Sequence, residues 1–289
     1  SISDIGYGFF IKENGFLGIN NTGSFLKDEF LNQYGFDDCD IMRIVAESCN
    51  EAEESLELIK KMQKEKLIGY TGKKRGMIFL FVDKEKAILV ELNSYEFVYK
   101  IIEDKLVFTN DFILPDSKKW IKNEETEGTK SSKIRKKRIE EILNENKEIN
   151  IENLREISRD KKYYPYSICR DTSLMQVRTV SAFISIFSNN PVLYICLGQP
   201  YVSPYFPFSI LGNKILDKFV TGEVSIKLNK IFEIKQLNDE DLLYRVRNFE
   251  NQLDKKFEEI KDIEETNLKI QKEVYNFIKE MENESLYNP

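Results

Sequence analysis

Met77-Ile78-Phe79-Leu80-Phe81-Val82 and Ala87-Ile88-Leu89-Val90-Glu91-Leu92 are nearly unbroken apolar runs, separated by the polar stretch Asp83-Lys84-Glu85-Lys86. Two such runs across a short polar gap predict a β-hairpin whose strands are covered on both faces. Phe97 to Ile102 and Leu106 to Thr109 extend the meander, with Glu103-Asp104-Lys105 as the turn. Upstream, Ile5 to Ile11 and Phe16 to Phe25 predict two short strands around the turn signal Glu13-Asn14-Gly15. Between these sheet-like stretches the rhythm becomes helical. Ile41, Ile44 and Val45 fall on one face behind Asp37 or Asp38 as cap. Ala52, Leu56, Ile59 and Met62 form a second apolar face, with Asn50 and Glu53 as a capping-box-like start and an end near Lys66.

Further on, Ser131 or Ser132 is predicted to cap a helix to about Asn146, and Asn150 to start a shorter one through Ile157. Thr179 to Phe187 and Val192 to Leu197 read as a second hairpin around Asn189-Asn190. The last segment differs in kind. Leu242, Val246, Phe249, Leu253, Phe257, Ile260, Ile263, Ile270, Val274, Phe277 and Met281 recur mainly at spacings of 4 and 3, with polar Asn267 in the same series. Such a stripe has two readings: helices laid over the domain body, or the seam of a homodimer through residues 242–281. The change of pattern divides the chain into a body at 1–235 and a helical extension at 236–289.

Composition narrows what this chain does. It is long enough, at 289 residues, to bury a sizeable core, and 41% hydrophobic and 12% aromatic residues exclude general disorder. Lys+Arg 43 against Asp+Glu 49 leaves a net charge of -6, which argues against a nucleic-acid partner. The basic run Lys133 to Arg138 shares its helix with Glu140 and Glu141, so it reads as a solvated face. No apolar run approaches the roughly 20 residues that span a bilayer, so no membrane is expected. Cys39, Cys49, Cys169 and Cys196 show no CxxC spacing and read as reduced, mostly buried thiols. With no signal peptide visible, these features place the chain in the cytoplasm. There is no His, which removes Ser-His-Asp and Cys-His catalysis and the commonest zinc ligand. No cofactor or metal is expected. The sequence opens on Ser1 and not on Met.

Several short motifs stand in a definite order. Gly18-Ile19-Asn20-Asn21-Thr22-Gly23 comes first, then the predicted helix with Arg43, then Thr109-Asn110-Asp111. Tyr164-Pro165-Tyr166-Ser167-Ile168-Cys169-Arg170 follows, then Thr179 at the head of a strand, then Gly198-Gln199-Pro200. From about residue 5 to about 210, this order resembles the acyl-coenzyme A:isopenicillin-N acyltransferase family of cysteine N-terminal-nucleophile hydrolases. More distantly it is similar to choloylglycine hydrolases and penicillin V acylases. The Tyr-Pro-Tyr-Ser-Ile-Cys-Arg string is the specific part. The resemblance implies an α+β fold: a four-layer αββα sandwich of two stacked antiparallel sheets, here followed by a long C-terminal helical segment. It also implies cleavage or transfer of an acyl group at a linear amide, so the expected partner is a small-molecule amide or acyl donor. In that chemistry the first residue of the mature chain is nucleophile and its own α-amine the base, which needs no His. Asn110 stands where the family supplies a side-chain amide to the oxyanion, and Arg170 matches the family's Arg. Tyr164, Tyr166 and Ser167 are the expected substrate contacts.

The chain departs from that pattern twice. The family's His after Thr-Asn is Asp111 here, and the nucleophile Cys-Thr with its Gly-x-Asn-x-Asp turn is absent upstream of Gly18. Ser1 is the nucleophile candidate on this chain, since its hydroxyl and amine lie on one residue. Register with the family instead makes Ile2 to Phe10 a strand after the nucleophile strand and puts the catalytic front piece elsewhere. The rival reading is a catalytically silent relative that serves as a binding and assembly scaffold through its C-terminal heptads.

Overall fold

The computed structural model describes residues 8–72, 74–145, 148–171, 178–188, 190–234, 240–259 and 261–287. The chain divides into two compact units, Ser1–Glu140 and Glu141–Pro289. Residues 236–289, set apart in sequence pattern, belong to the second unit.

The first unit is built on a five-stranded antiparallel sheet in the order β1 (Phe9–Ile11), β2 (Leu17–Phe25), β3 (Arg75–Val82), β4 (Ala87–Leu92), β5 (Phe97–Ile101). The β3–β4 hairpin pairs Phe79 with Val90 and Phe81 with Ile88. As their composition predicts, both of its faces are covered. One face carries Met77, Phe79, Phe81, Ile88 and Val90, which pack with the apolar stripes of α1 (Asp38–Ser48) and α2 (Ala52–Lys64). The other carries Ile78 and Leu89, covered by Leu26, Phe112, Leu114 and Trp120. Within this unit, therefore, the second cover is an irregular segment that ends in a 3-10 turn at Pro115–Trp120. Leu106 to Thr109, expected as a strand, belongs to that segment: Leu106 and Phe108 pack on the sheet face, and the Thr109 carbonyl accepts from the Asn21 side chain.

Helix starts follow local chemistry. Asp37 caps α1 by accepting from the amides of Cys39 (3.0 Å) and Asp40 (3.1 Å), and Asp40 reciprocates. At α2 the expected box is shifted: Glu51 is the cap residue, and it is Glu54 that reaches back to the Asn50 amide at 2.6 Å. The third helix, α3 (Glu127–Glu145), begins ahead of Ser131 and Ser132, which were expected as caps. They lie inside the helix and are fully buried. Its last residues lie in the second unit.

In the second unit, α4 (Ile151–Arg159) starts at Asn150, whose side chain accepts from the Asn153 amide at 2.9 Å. The expected hairpin forms as β6 (Ala182–Ile186) and β7 (Val192–Cys196), and β8 (Phe206–Ser209) adds a third antiparallel strand from the Pro- and aromatic-rich tract. Among the described residues four helices follow: α5 (Asp217–Val220), α6 (Glu223–Ile234), α7 (Glu240–Glu259) and α8 (Ile263–Tyr287). The C-terminal segment is thus two helices, with Asp262 capping the second at the Glu265 amide. Val246, Leu253, Ile270, Val274 and Met281 of the heptad-like stripe are buried in this unit's own core with Val224, Leu228 and Ile231, and Phe249 stacks on Phe277 at 4.1 Å. Asn267, the polar residue in the stripe, accepts from the Ser209 amide (3.0 Å) and donates to its carbonyl (2.8 Å), so it closes the end of β8 as a strand would.

A buried charge ladder ties α4 to α7. Arg155 and Arg159 lie one turn apart on α4, as do Glu250 and Asp254 on α7. Arg155 binds Asp254 through two nitrogens at 2.8 and 2.9 Å. Arg159 binds Glu250 at 2.5 Å and the Pro200 carbonyl at 2.9 Å, and Glu250 also accepts the Tyr205 amide at 2.6 Å. Arg159 and Glu250 are 4% and 2% exposed, so removing one partner strands a desolvated charge. Glu250→Leu is expected to lower the urea-unfolding free energy by about 3–5 kcal/mol, and the double change with Arg159→Met to recover much of that loss. A loss in the double variant equal to the sum of the two single losses would show that the charges act independently.

Candidate functional site

Irregular backbone buried against a sheet needs a partner for every N–H and C=O. Backbone groups of residues 109–114 in the first unit find such partners on three elements, and the Thr109-Asn110-Asp111 motif sits at their meeting point.

The first element is β2, which carries the Gly18–Gly23 motif. The Asn21 side chain donates to the Thr109 carbonyl at 3.1 Å, and the Asn110 side chain donates to the Thr22 carbonyl at 3.1 Å. Two residues on, the Ser24 hydroxyl accepts the Phe112 amide at 3.0 Å and lies 3.4 Å from Asp111 Oδ1. This close approach explains the motif's second glycine. A Cβ on Gly23 would stand 2.7 Å from the Phe112 ring, and one on Gly76 of β3 would stand 2.3 Å from it. Any larger residue at either place would push out the ring that anchors the motif.

The second element is α3. Ser132 Oγ accepts the Asn110 amide at 2.9 Å and lies 2.6 Å from the Thr109 hydroxyl, which also reaches the Ser132 carbonyl at 3.1 Å. Arg135, three residues along the same helix face, donates to Asn110 Oδ1 at 2.9 Å. The basic run was expected to be a solvated face; Arg135 is half-buried and turned onto the motif. The third element is β4. Glu91 is fully buried and accepts from the amides of Ile113 (2.5 Å) and Leu114 (3.2 Å) and from the Ser117 hydroxyl (2.5 Å). Burial holds its carboxyl above the usual glutamate range, against the pull of those donors. Lys118 closes the loop by donating to the Phe112 carbonyl.

A cavity of about 520 Å³ opens beside this motif, lined by Ser24, Thr109, Asp111, Lys118, Thr129 and Lys133 among others. Asn110 itself does not line it, while both of its neighbours do. Asp111, at the place of the family's His, buries Oδ2 from solvent. Arg43, on α1, pairs with Glu47 at 2.8 Å on the exposed side of its helix. Among the described residues one group of ligand-type side chains converges: Asp37, Asp38 and Cys39 within 4.8 Å. Asp37 is occupied as a helix cap and Asp38 accepts the Thr71 hydroxyl at 2.6 Å.

The second unit gathers the remaining motifs. The Arg170 amide donates to Thr179 Oγ1 at 3.0 Å, the Thr179 amide donates to the Arg170 carbonyl at 3.1 Å, and Gln199 of Gly198-Gln199-Pro200 donates to that carbonyl at 3.4 Å. Three separate sequence landmarks thus meet at one backbone position. Arg170 is half-buried, and burial pulls its guanidinium below the usual arginine range. Tyr164 is 65% exposed and Tyr166 half-buried. Ser167 is buried, with its hydroxyl on the Cys169 carbonyl at 2.8 Å. The Cys169 thiol is buried and pushed up to about 12 by desolvation, so it is unreactive at neutral pH. Asn110 belongs to the first unit and Arg170 to the second. Ser1 lies outside the described residues.

The sequence reading missed Ser24, Glu91, Ser132 and Arg135. Glu91 carried a signal: it is the single charge in a strand predicted to be covered on both faces, where a carboxylate needs dedicated donors.

The family model of acyl-coenzyme A:6-aminopenicillanic acid acyl-transferase matches residues 17–201. That span contains every motif assembled in the two units. No curated protein matches the chain. No helix among the described residues is long and apolar enough to cross a membrane.

Glu91 makes the motif's support dependent on pH. The folded chain holds the Glu91 proton to higher pH than the unfolded chain. Its contribution to stability is therefore fully present below the usual glutamate range and is lost as pH rises through the raised folded value. Subtracting the urea-unfolding free energy of Glu91→Gln from that of the wild type should leave a difference that falls with rising pH across that window. A difference that stays flat would remove Glu91 titration from the stability of the loop.

Proposed function

The chain belongs to the acyl-coenzyme A:6-aminopenicillanic acid acyl-transferase family, and on that premise we propose that it is an N-terminal-nucleophile enzyme that hydrolyses or transfers the acyl group of a linear amide. The four-layer αββα sandwich of that enzyme class is part of the proposal. The observation that carries it is the fixed carboxamide of Asn110, set in the Thr-Asn motif within the matched span and held at both of its polar atoms.

The chemistry balances without histidine. The nucleophile of the leading residue gives its proton to that residue's α-amine and forms a bond to the amide carbon. The carbonyl π pair moves onto oxygen, and Asn110 donates an N–H to the resulting oxyanion. The tetrahedral species expels the amine, which takes the proton back, and an acyl-enzyme remains. Water or a second amine then attacks the acyl carbon and restores the nucleophile. A neutral amide suits the oxyanion role because it donates at every working pH. In the second unit, Arg170 adds fixed positive charge and the rings of Tyr164 and Tyr166 offer apolar contact to the substrate. Ser167 acts indirectly, since its hydroxyl holds the loop that carries them.

The test uses the full natural chain and a panel of N-acyl amides of increasing acyl length. Asn110→Ala should lower kcat by about 10²–10³-fold with the unfolding transition still cooperative. Intact-mass measurement of the wild type under turnover should show an acyl adduct. Unchanged turnover in the variant would remove Asn110 from the mechanism, and absence of both turnover and adduct across the panel would remove the enzyme reading.

A further inference from the structure

An oxyanion donor works only if it points the right way before the charge appears. A carboxamide has two faces that exchange by a half-turn, one presenting oxygen and the other N–H₂. In water both orientations are populated, and half of them would present an acceptor to the developing negative charge.

We propose that Arg135 is the residue that sets this orientation, a positioning residue for the oxyanion; the proposal rests on the acyl-transfer reading above. Arg135 donates to Asn110 Oδ1 at 2.9 Å, while Asn110 Nδ2 donates to the Thr22 carbonyl at 3.1 Å. Reversing the amide would set N–H₂ against a guanidinium, which has donors only, and oxygen against a carbonyl, which has acceptors only. Both contacts would be lost together, so one orientation is strongly favoured. Nitrogen carries two hydrogens. Thr22 takes one, and on the acyl-transfer reading the other serves the reacting oxygen. A cation on the amide oxygen also draws electron density from nitrogen, which makes the remaining N–H a stronger donor.

The helix is built to hold this contact. Ser132 lies three residues before Arg135 on the same face, is fully buried, and fixes the Asn110 amide at 2.9 Å and the Thr109 hydroxyl at 2.6 Å. Backbone and side chain of Asn110 are therefore gripped by one face of α3. The sequence shows Arg135 only as one of several basic residues in a run.

The measurement pairs kinetics with spectroscopy on the full chain. The side-chain N–H₂ resonances of Asn110 are assigned by their loss in Asn110→Asp. In Arg135→Met they should move, while the backbone amides of β2 to β4 stay in place. On the N-acyl amide panel the same variant should lose about 10- to 100-fold in kcat with KM changed by less than about twofold. Arg135→Lys should restore part of the loss, because it returns one donor and the charge. Arg135→Gln repeats the comparison should the methionine variant not fold. An unmoved Asn110 resonance pair overturns the proposal whatever the activity, and so does an unchanged kcat in an active enzyme. If the wild type cleaves no amide on the panel, the acyl-transfer reading falls while the resonance shift still decides whether Arg135 orients the carboxamide.

Discussion

Backbone hydrogen bonding of an irregular segment governs the first unit. Residues 109–114 run over a sheet face with no ladder of their own, ahead of a 3-10 turn at Pro115–Trp120, so their buried polar backbone atoms are met by side chains. Ser132, Ser24 and Glu91 accept the amides of Asn110, Phe112, Ile113 and Leu114. Asn21 and Lys118 donate to the carbonyls of Thr109 and Phe112. Asn21 and Ser24 come from β2, Glu91 from β4 and Ser132 from α3, all half-buried or buried, while Lys118 is exposed and lies within the segment itself. The position of Asn110 is a by-product of that accounting: its backbone is fixed first, and its carboxamide then finds an acceptor on one side and a guanidinium on the other. Gly23 and Gly76 belong to the same scheme, since they leave room for the Phe112 ring that seats the segment on the sheet.

The second unit solves a related problem with charge. Arg170 lies in a loop whose backbone is tied to Thr179 and Gln199, and Arg159 reaches the Pro200 carbonyl from the ion-paired ladder between α4 and α7. Buried ion pairs add little net stability compared with apolar packing, but an arginine without its carboxylate is costly. The ladder therefore discriminates against other registers of α7 on α4, because a slip of one residue would leave buried guanidinium groups unpaired. The lone asparagine of the C-terminal stripe has a comparable use. Asn267 meets both backbone groups of Ser209, so its register against β8 is fixed by hydrogen bonds where leucine would allow sliding.

Charge of one sign does not by itself mark function in this chain. The run Lys133 to Arg138 reads as solvent-facing from its acidic neighbours, and for much of the helix that argument holds: Lys136 pairs with Glu140 one turn on. Arg135 differs by its angular position. It falls on the helix face that carries Ser131 and Ser132, and that face is buried. A helix begun at Glu127, ahead of the serines, turns them from caps into interior residues and so turns Arg135 inward.

Much of the local structure is legible from the residues alone, because its causes are local. The apolar runs at 77–82 and 87–92, the Asp37 cap and the Asn150 cap each depend on neighbours within one turn or one hairpin. The order of motifs and the family are legible too, since they are properties of the string. What covers the second face of the first sheet, why Leu106 to Thr109 is not a strand, and which residues grip Asn110 were decided only in three dimensions. Asn21 and Thr109, or Glu91 and Ser117, are far apart in the chain, and no periodicity links a carboxylate to the distant amides that it will satisfy. Such pairings depend on which surfaces are dehydrated together, and that is set by the packing of whole elements and not by any stretch of sequence.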